Sequence, residues 1–125
     1  MIESLFSDPT YTASKVLLDA TAVRQEALAS NIANAETPGY RRVDLAKSFN
    51  ETFAAQVKAG QVGQIPRPTI EQDPNIGSMR EDGNNVQIDK ELMAMGANST
   101  QYDTLTEFVS QSLKQLQIAV TGKSA

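Results

Sequence analysis

Apolar residues recur at helical spacing in two stretches of this chain, one near its start and one near its end, while the segment between them lacks that period. Near the start, Ala13, Val16, Ala20, Val23 and Ala27 follow at alternating intervals of three and four, with Leu17, Leu28 and Ile32 beside them. This predicts an amphipathic helix whose apolar face is built from small side chains. Asp8 is the candidate N-cap and Pro9 suits the first helical position, where a missing N–H loses no bond. Pro38 disfavours the α region at Thr37, and Thr37-Pro38-Gly39-Tyr40 places Pro and Gly where a type II turn wants them, so the helix should stop near Asn34. Arg24 and Asn31 fall close to the apolar stripe. They either interrupt the seam or mark points where polar side chains meet a partner, and the sequence leaves both readings open.

The strongest pattern lies at the other end. Ile88, Leu92, Met95, Ser99, Tyr102, Thr106, Val109, Leu113, Leu116 and Val120 fall at strict four-three spacing, and eight of these ten are apolar or aromatic. A seam of period 3.5 over four heptads predicts a coiled-coil helix. With Asp89 as N-cap and Gly122 as the stop, its length would be roughly 45–50 Å at a rise of about 1.5 Å per residue. That is long for a globule of this size.

A shorter helix is predicted over 45–59, with Asp44 as N-cap, Gly60 as the stop, and Phe49, Phe53 and Val57 on one side. Residues 60–85 then carry four Gly, three Pro and scattered charges with no helical period. They read as loop or short strand, with a weak hairpin signal at Asp82-Gly83, and as a segment that is mobile or ordered by partners.

Two amphipathic helices at the two ends of a chain most simply bury their stripes against each other. The predicted fold is therefore all-α: an elongated antiparallel hairpin or coiled coil with an irregular or short-β middle. Residues 1–35 with 86–125 form one coiled-coil unit, and 36–85 supply the turn, the short helix and the Gly/Pro-containing loop. Leu18, Leu105, Phe108 and Ile118 lie off the seams and need further helices to cover them. Those helices could come from other subunits, or the 45–59 segment could complete a small monomeric bundle. The pattern supports the two about equally.

Composition narrows the function. The 125 residues contain no Cys and no His, which removes thiolate metal sites, disulfides and the commonest general base. A net charge of −4 offers no basic field for nucleic acid. No apolar run approaches the roughly 20 residues needed for membrane insertion. The acidic residues Glu71, Asp73, Glu81 and Asp82 read as a solvated loop, so the chain is expected to be no enzyme, with no catalytic residue, cofactor or metal. The opening residues 1–9 have neither a basic stretch nor a long apolar run and are not read as a signal peptide.

The string Asn31-Ile32-Ala33-Asn34-Ala35-Glu36-Thr37-Pro38-Gly39-Tyr40-Arg41, preceded by Arg24-Gln25-Glu26-Ala27-Leu28-Ala29, closely resembles the signature near the N-terminus of flagellar rod and hook proteins. Asp82-Gly83-Asn84-Asn85-Val86-Gln87-Ile88-Asp89, then Glu91-Leu92, Ala97-Asn98 and Tyr102, looks like the C-terminal segment of the proximal rod proteins. Gln87 stands where that family would carry an acidic residue. The resemblance covers roughly three fifths of the chain, points to the FlgB type with the FlgC type as its close relative, and matches nothing over 60–80.

The resemblance implies a structural subunit of the proximal rod in the bacterial flagellar basal body, self-assembling through its terminal helices into the drive shaft that transmits torque. It implies synthesis in the cytoplasm, export without a cleaved signal through the flagellar type III apparatus, and a place in the rod that crosses the periplasm. Partners would be other rod subunits, the protein at the junction of rod and MS ring, and copies of itself in a helical array. The signature turn would comprise Asn31, Ile32, Asn34, Thr37, Pro38, Gly39 and Tyr40. The assembly seam would comprise Ala13, Val16, Ala20, Val23 and Ala27 with Leu92, Met95, Tyr102, Val109, Leu113, Leu116 and Val120. A non-enzymatic helical-hairpin adaptor or secreted regulator is the alternative that shares these patterns.

Overall fold

The computed structural model describes residues 8–75 and 77–122; Ile2, Leu5, Phe6 and the rest of the opening segment before Asp8 lie outside the described residues. Helix α1 spans Pro9–Ala33, strand β1 Val43–Leu45, helix α2 Lys47–Lys58, strand β2 Ile70–Gln72 and helix α3 Ile88–Thr121, with a short 3₁₀ turn at Val62–Gln64. The predominantly α architecture predicted from the hydrophobic pattern is what is found.

Helix ends follow local chemistry. The Asp8 carboxylate accepts the N–H of Thr10 at 2.9 Å and Pro9 opens α1. At the far end Asn34 caps the helix, its amide donating to the Ser30 carbonyl at 2.9 Å. The turn after it closes through the Tyr40 N–H on the Thr37 carbonyl at 3.2 Å, and Gly39 takes a φ of +74°. Gly122 ends α3 in the left-handed region. Two expected caps are corrected. Helix α2 begins after Ala46, because Asp44 is held in β1 by ion pairs and cannot cap. Helix α3 begins one residue after Gln87, which leaves Asp89 in its first turn, where a carboxylate favours the positive end of the helix dipole.

The middle segment is more ordered than its composition suggests. β1 and β2 form an antiparallel pair with Asp44 opposite Glu71, extended by Ala46 N–H to the Thr69 carbonyl at 2.8 Å and Asp73 N–H to the Arg42 carbonyl at 2.9 Å. The hairpin signal at Asp82-Gly83 is corrected, since those residues form a tight turn with no strand on either side. Beyond that turn Asn84, Asn85 and Val86 are buried. In α2, Phe49 is buried and stacks on Phe53 with ring centroids 5.9 Å apart, while Val57 is exposed.

Helices α1 and α3 pack antiparallel, with Asn31 on Glu91 and, further back along α1, Thr21 and Gln25 on Asn98. On α1 the expected stripe faces inward: Ala20 and Ala27 are buried and Ala13, Val16 and Val23 half-buried. On α3 the inward face differs from the apolar heptad seam. Glu91 and Asn98 are buried and Leu105 and Ser112, at the same seven-residue interval, half-buried, alternating with half-buried Met95, Val109 and Leu116. The seam positions Leu92, Tyr102, Leu113 and Val120 are exposed. Helix α3 thus turns the flank of its apolar seam, rather than the centre of that seam, toward α1. Small α1 side chains let the helices approach, and polar partners draw Glu91 and Asn98 in. Carried on at the register of Asn31 with Glu91, Pro9 falls opposite the turn holding Leu113, so the last turns of α3, with Ile118 and Val120, run past it.

Candidate assembly site

The residues singled out at the end of α1 converge on one buried polar cluster that ties the turn, the strand pair and the start of α3 together. Asn31 is fully buried on the last turn of α1. Its Nδ2 donates to the Val43 carbonyl at 2.7 Å and to Glu91 Oε2 at 3.1 Å, while its Oδ1 accepts the Val43 N–H at 2.9 Å and the Tyr40 hydroxyl at 3.1 Å. Toward Val43 the side-chain amide therefore behaves as a neighbouring strand's peptide group would. Polar partners do meet near Arg24 and Asn31, and they belong to the same chain.

Arg42 carries the ionic half of the cluster. Its guanidinium donates from Nε to Glu91 Oε1, from Nη1 to Asp73 at 2.7 Å and from Nη2 to Asp44 at 2.9 Å. Arg24 adds a second cation on Asp44, with Nε at 2.9 Å. Burial opposes the Arg42 charge, but its bonds to Glu91 and Asp44 outweigh that and raise its pKa. Burial likewise pushes the Asp44 carboxyl up, yet bonds from Arg24, the Leu45 N–H and Arg42 hold it below the usual carboxylate range. Glu91 is only 1% exposed, so losing Arg42 would strand a buried carboxylate, at a cost of about 3–5 kcal/mol.

The turn itself is fastened from the other side of the chain. Asn84, fully buried, shares its amide hydrogens among the carbonyls of Asn34, Ala35 and Thr37 at 2.9–3.0 Å, and its Oδ1 accepts the Val86 N–H at 2.8 Å. Arg80 donates to the carbonyls of Ala35 and Val86, and the Gly39 N–H bonds the Asp82 carbonyl at 2.8 Å. Of the turn residues, Asn31 is buried, Ile32, Asn34 and Tyr40 are half-buried, and Thr37, Pro38 and Gly39 are exposed. Gln87, where an acidic residue was expected, donates to Ser78 Oγ at 2.7 Å.

The second feature is the outward face of α3. Leu92 is 53% exposed, Leu113 42% and Val120 56%, with Met93, Tyr102 and Phe108 also exposed. Fully burying a side chain of this size is worth about 1.5–3 kcal/mol, and the single chain forgoes that repeatedly along one helix. The turn cluster is satisfied within the chain, whereas this apolar row is left facing outward. Sequence reasoning missed Glu91 and Asn98 as structural centres. Their signal was present as two polar residues seven apart on the flank of an apolar heptad. Among the described residues no helix is long and apolar enough to cross a membrane.

Residues 18–41, which hold the second half of α1 and the whole turn, match the family described as flagella basal body rod protein. The chain is similar over most of its length to flagellar basal body rod proteins FlgB. That of Escherichia coli is 34% identical over 113 residues, covering 78% of this chain and 82% of that protein. That of Aeromonas hydrophila is 29% identical, covering 93% and 96%. That of Buchnera aphidicola from Acyrthosiphon pisum is 28% identical, covering 84% and 89%.

Proposed function

Because this chain belongs to the flagellar basal-body rod proteins, of FlgB type, and is a structural subunit of that rod, we propose that α1 and α3 are its assembly elements. The observation that carries the proposal is the exposed row of Leu92, Tyr102, Leu113 and Val120 along a helix of 34 residues. A helix of about 50 Å presenting unpaired apolar side chains gains most by packing on other long helices. Heterologous contacts between such rows need not close, so they propagate as a helical array. The seam on α1, from Ala13 through Val16, Ala20, Val23 and Ala27, provides close approach. Met95, Val109 and Leu116 sit at the edge between the intrachain and outward faces.

In this reading the subunit lies in the proximal rod across the periplasm, reaches it through the flagellar type III export apparatus, and contacts other rod subunits, further copies of itself and the protein joining rod to MS ring. Its contribution is mechanical: long helices lying along a shaft pass torque through many small contacts, which requires no catalytic residue.

Sedimentation and circular dichroism over a wide concentration range, alone and with other rod subunits, test the proposal. Particle mass should rise towards open-ended species. Leu113→Glu should abolish that growth while the isolated chain keeps its helical signal and its Phe49–Phe53 packing. Growth unchanged by Leu113→Glu would remove the row from the interface, and a monomer inert to rod subunits at every concentration would favour a helical-hairpin adaptor.

A further inference from the structure

Two rows on α3 compete for the face turned toward α1. Both share the half-buried row of Met95, Val109 and Leu116, in which Tyr102 stays exposed. One completes it with Glu91, Asn98, Leu105 and Ser112, the other with Leu92, Ser99, Thr106, Leu113 and Val120. Burial of apolar area alone favours the second, which carries three large aliphatic side chains against one. The first is the one turned inward.

We infer that Glu91 and Asn98 are positioning residues whose buried bonds to α1 set the rotation and register of α3, holding Leu92 and Leu113 outward. Glu91 accepts from Asn31 at 3.1 Å, and Asn98 donates to the Thr21 carbonyl at 2.9 Å and to Gln25 Oε1 at 2.8 Å. The two lie seven residues apart, each 1% exposed. One such bond would fix a point; two on the same face fix both the rotation and the axial offset, because any slip separates both pairs together. Asn98 also keeps a buried Oδ1 with no partner among the described residues, a penalty that Leu would not carry there. Its presence is explained by orientation rather than by stability. The use of the outward row rests on the rod-subunit reading above; the rotation of α3 does not.

The chain contains no cysteine, so single thiols report rotation directly. Ser99→Cys samples the outward row and Ser112→Cys the inward one, each nearly isosteric, in the dilute isolated chain. With Glu91 and Asn98 in place, the thiol at 99 should be alkylated faster than the thiol at 112. In the Glu91→Ala/Asn98→Ala background, which removes the bonds without adding apolar area to the inward row, α3 should turn its apolar row inward, slowing the thiol at 99 by about tenfold and speeding the one at 112. Glu91→Gln, which can still accept from Asn31, should keep the original order even if the chain is less stable. Unchanged rates in a double variant that retains its helical signal would overturn the inference. Should the double variant lose that signal, Asn98→Ala alone decides, since it leaves Arg42 paired: a slower thiol at 99 supports the inference and an unchanged rate overturns it. These rates are read on isolated chains, so failure of assembly in sedimentation leaves them interpretable.

Discussion

Asn31 and Glu91 lie sixty residues apart in the chain, and their side chains meet at 3.1 Å in the fully buried joint between the end of α1 and the start of α3. Every polar atom of the Asn31 amide is used there. Asn31→Ala should leave the Val43 N–H and Glu91 Oε2 short of a partner and destabilise the chain by about 3 kcal/mol, read as a lower urea midpoint. Asn31→Asp, which loses both amide donors and adds a negative charge beside Glu91, should be at least as damaging. A change below about 1 kcal/mol would mean that the joint is not a principal fastening of the hairpin.

Asp44 links the same joint to acid stability. Its folded-state carboxyl is held below the usual range, so on acidification the unfolded chain takes up the proton first. The stability it contributes is complete above the ordinary Asp value of about 3.9 and is lost as pH falls through the folded value. Asp44→Asn should therefore be less stable than the unaltered chain at pH 7, with the gap narrowing below about pH 4. Denaturation curves at pH 7, 4 and 3 check this, and a gap independent of pH would contradict it.

Gly39 has room for a side chain but the wrong backbone for one: nothing lies within 4 Å of an added Cβ, yet φ is +74°. Gly39→Ala should destabilise by about 1–2 kcal/mol through the left-handed conformation alone. Gly39→Asn should lose less, since Asn tolerates that region. Equal losses for Ala and Asn would point to contact rather than backbone conformation.

Asn84 fastens the turn from across the chain. Asn84→Ala frees three carbonyls and the Val86 N–H at once. Amide exchange should then accelerate first around 82–86 and at Gly39, while the centres of α1 and α3 stay protected. Acceleration spread evenly over all three regions would show that the turn and the hairpin open as one unit.

Much of the local structure was legible in the sequence because it rests on neighbours in the chain. Asp8-Pro9 opens α1, Pro38-Gly39 ends its approach to β1, and Gly122 ends α3, each through a restriction on φ or a side-chain cap within a few residues. The β1–β2 pair was not legible: three residues per strand carry no alternation, and each strand exists because the other is present. The same applies to Asp44, a sound N-cap by local rules that Arg24 and Arg42 draw into a different role.

By itself the sequence determined the approximate extent of the helices, that the two terminal ones carry apolar stripes, and which turn joins α1 to the middle segment, since each depends on contacts of short range. Only the tertiary structure decided which side of α3 faces α1. A heptad marks the apolar side of a helix but not what will cover it. Asn31, Arg42, Thr21 and Gln25 had to be brought together in space before Glu91 and Asn98 could outcompete the Leu92 and Leu113 row for the inside.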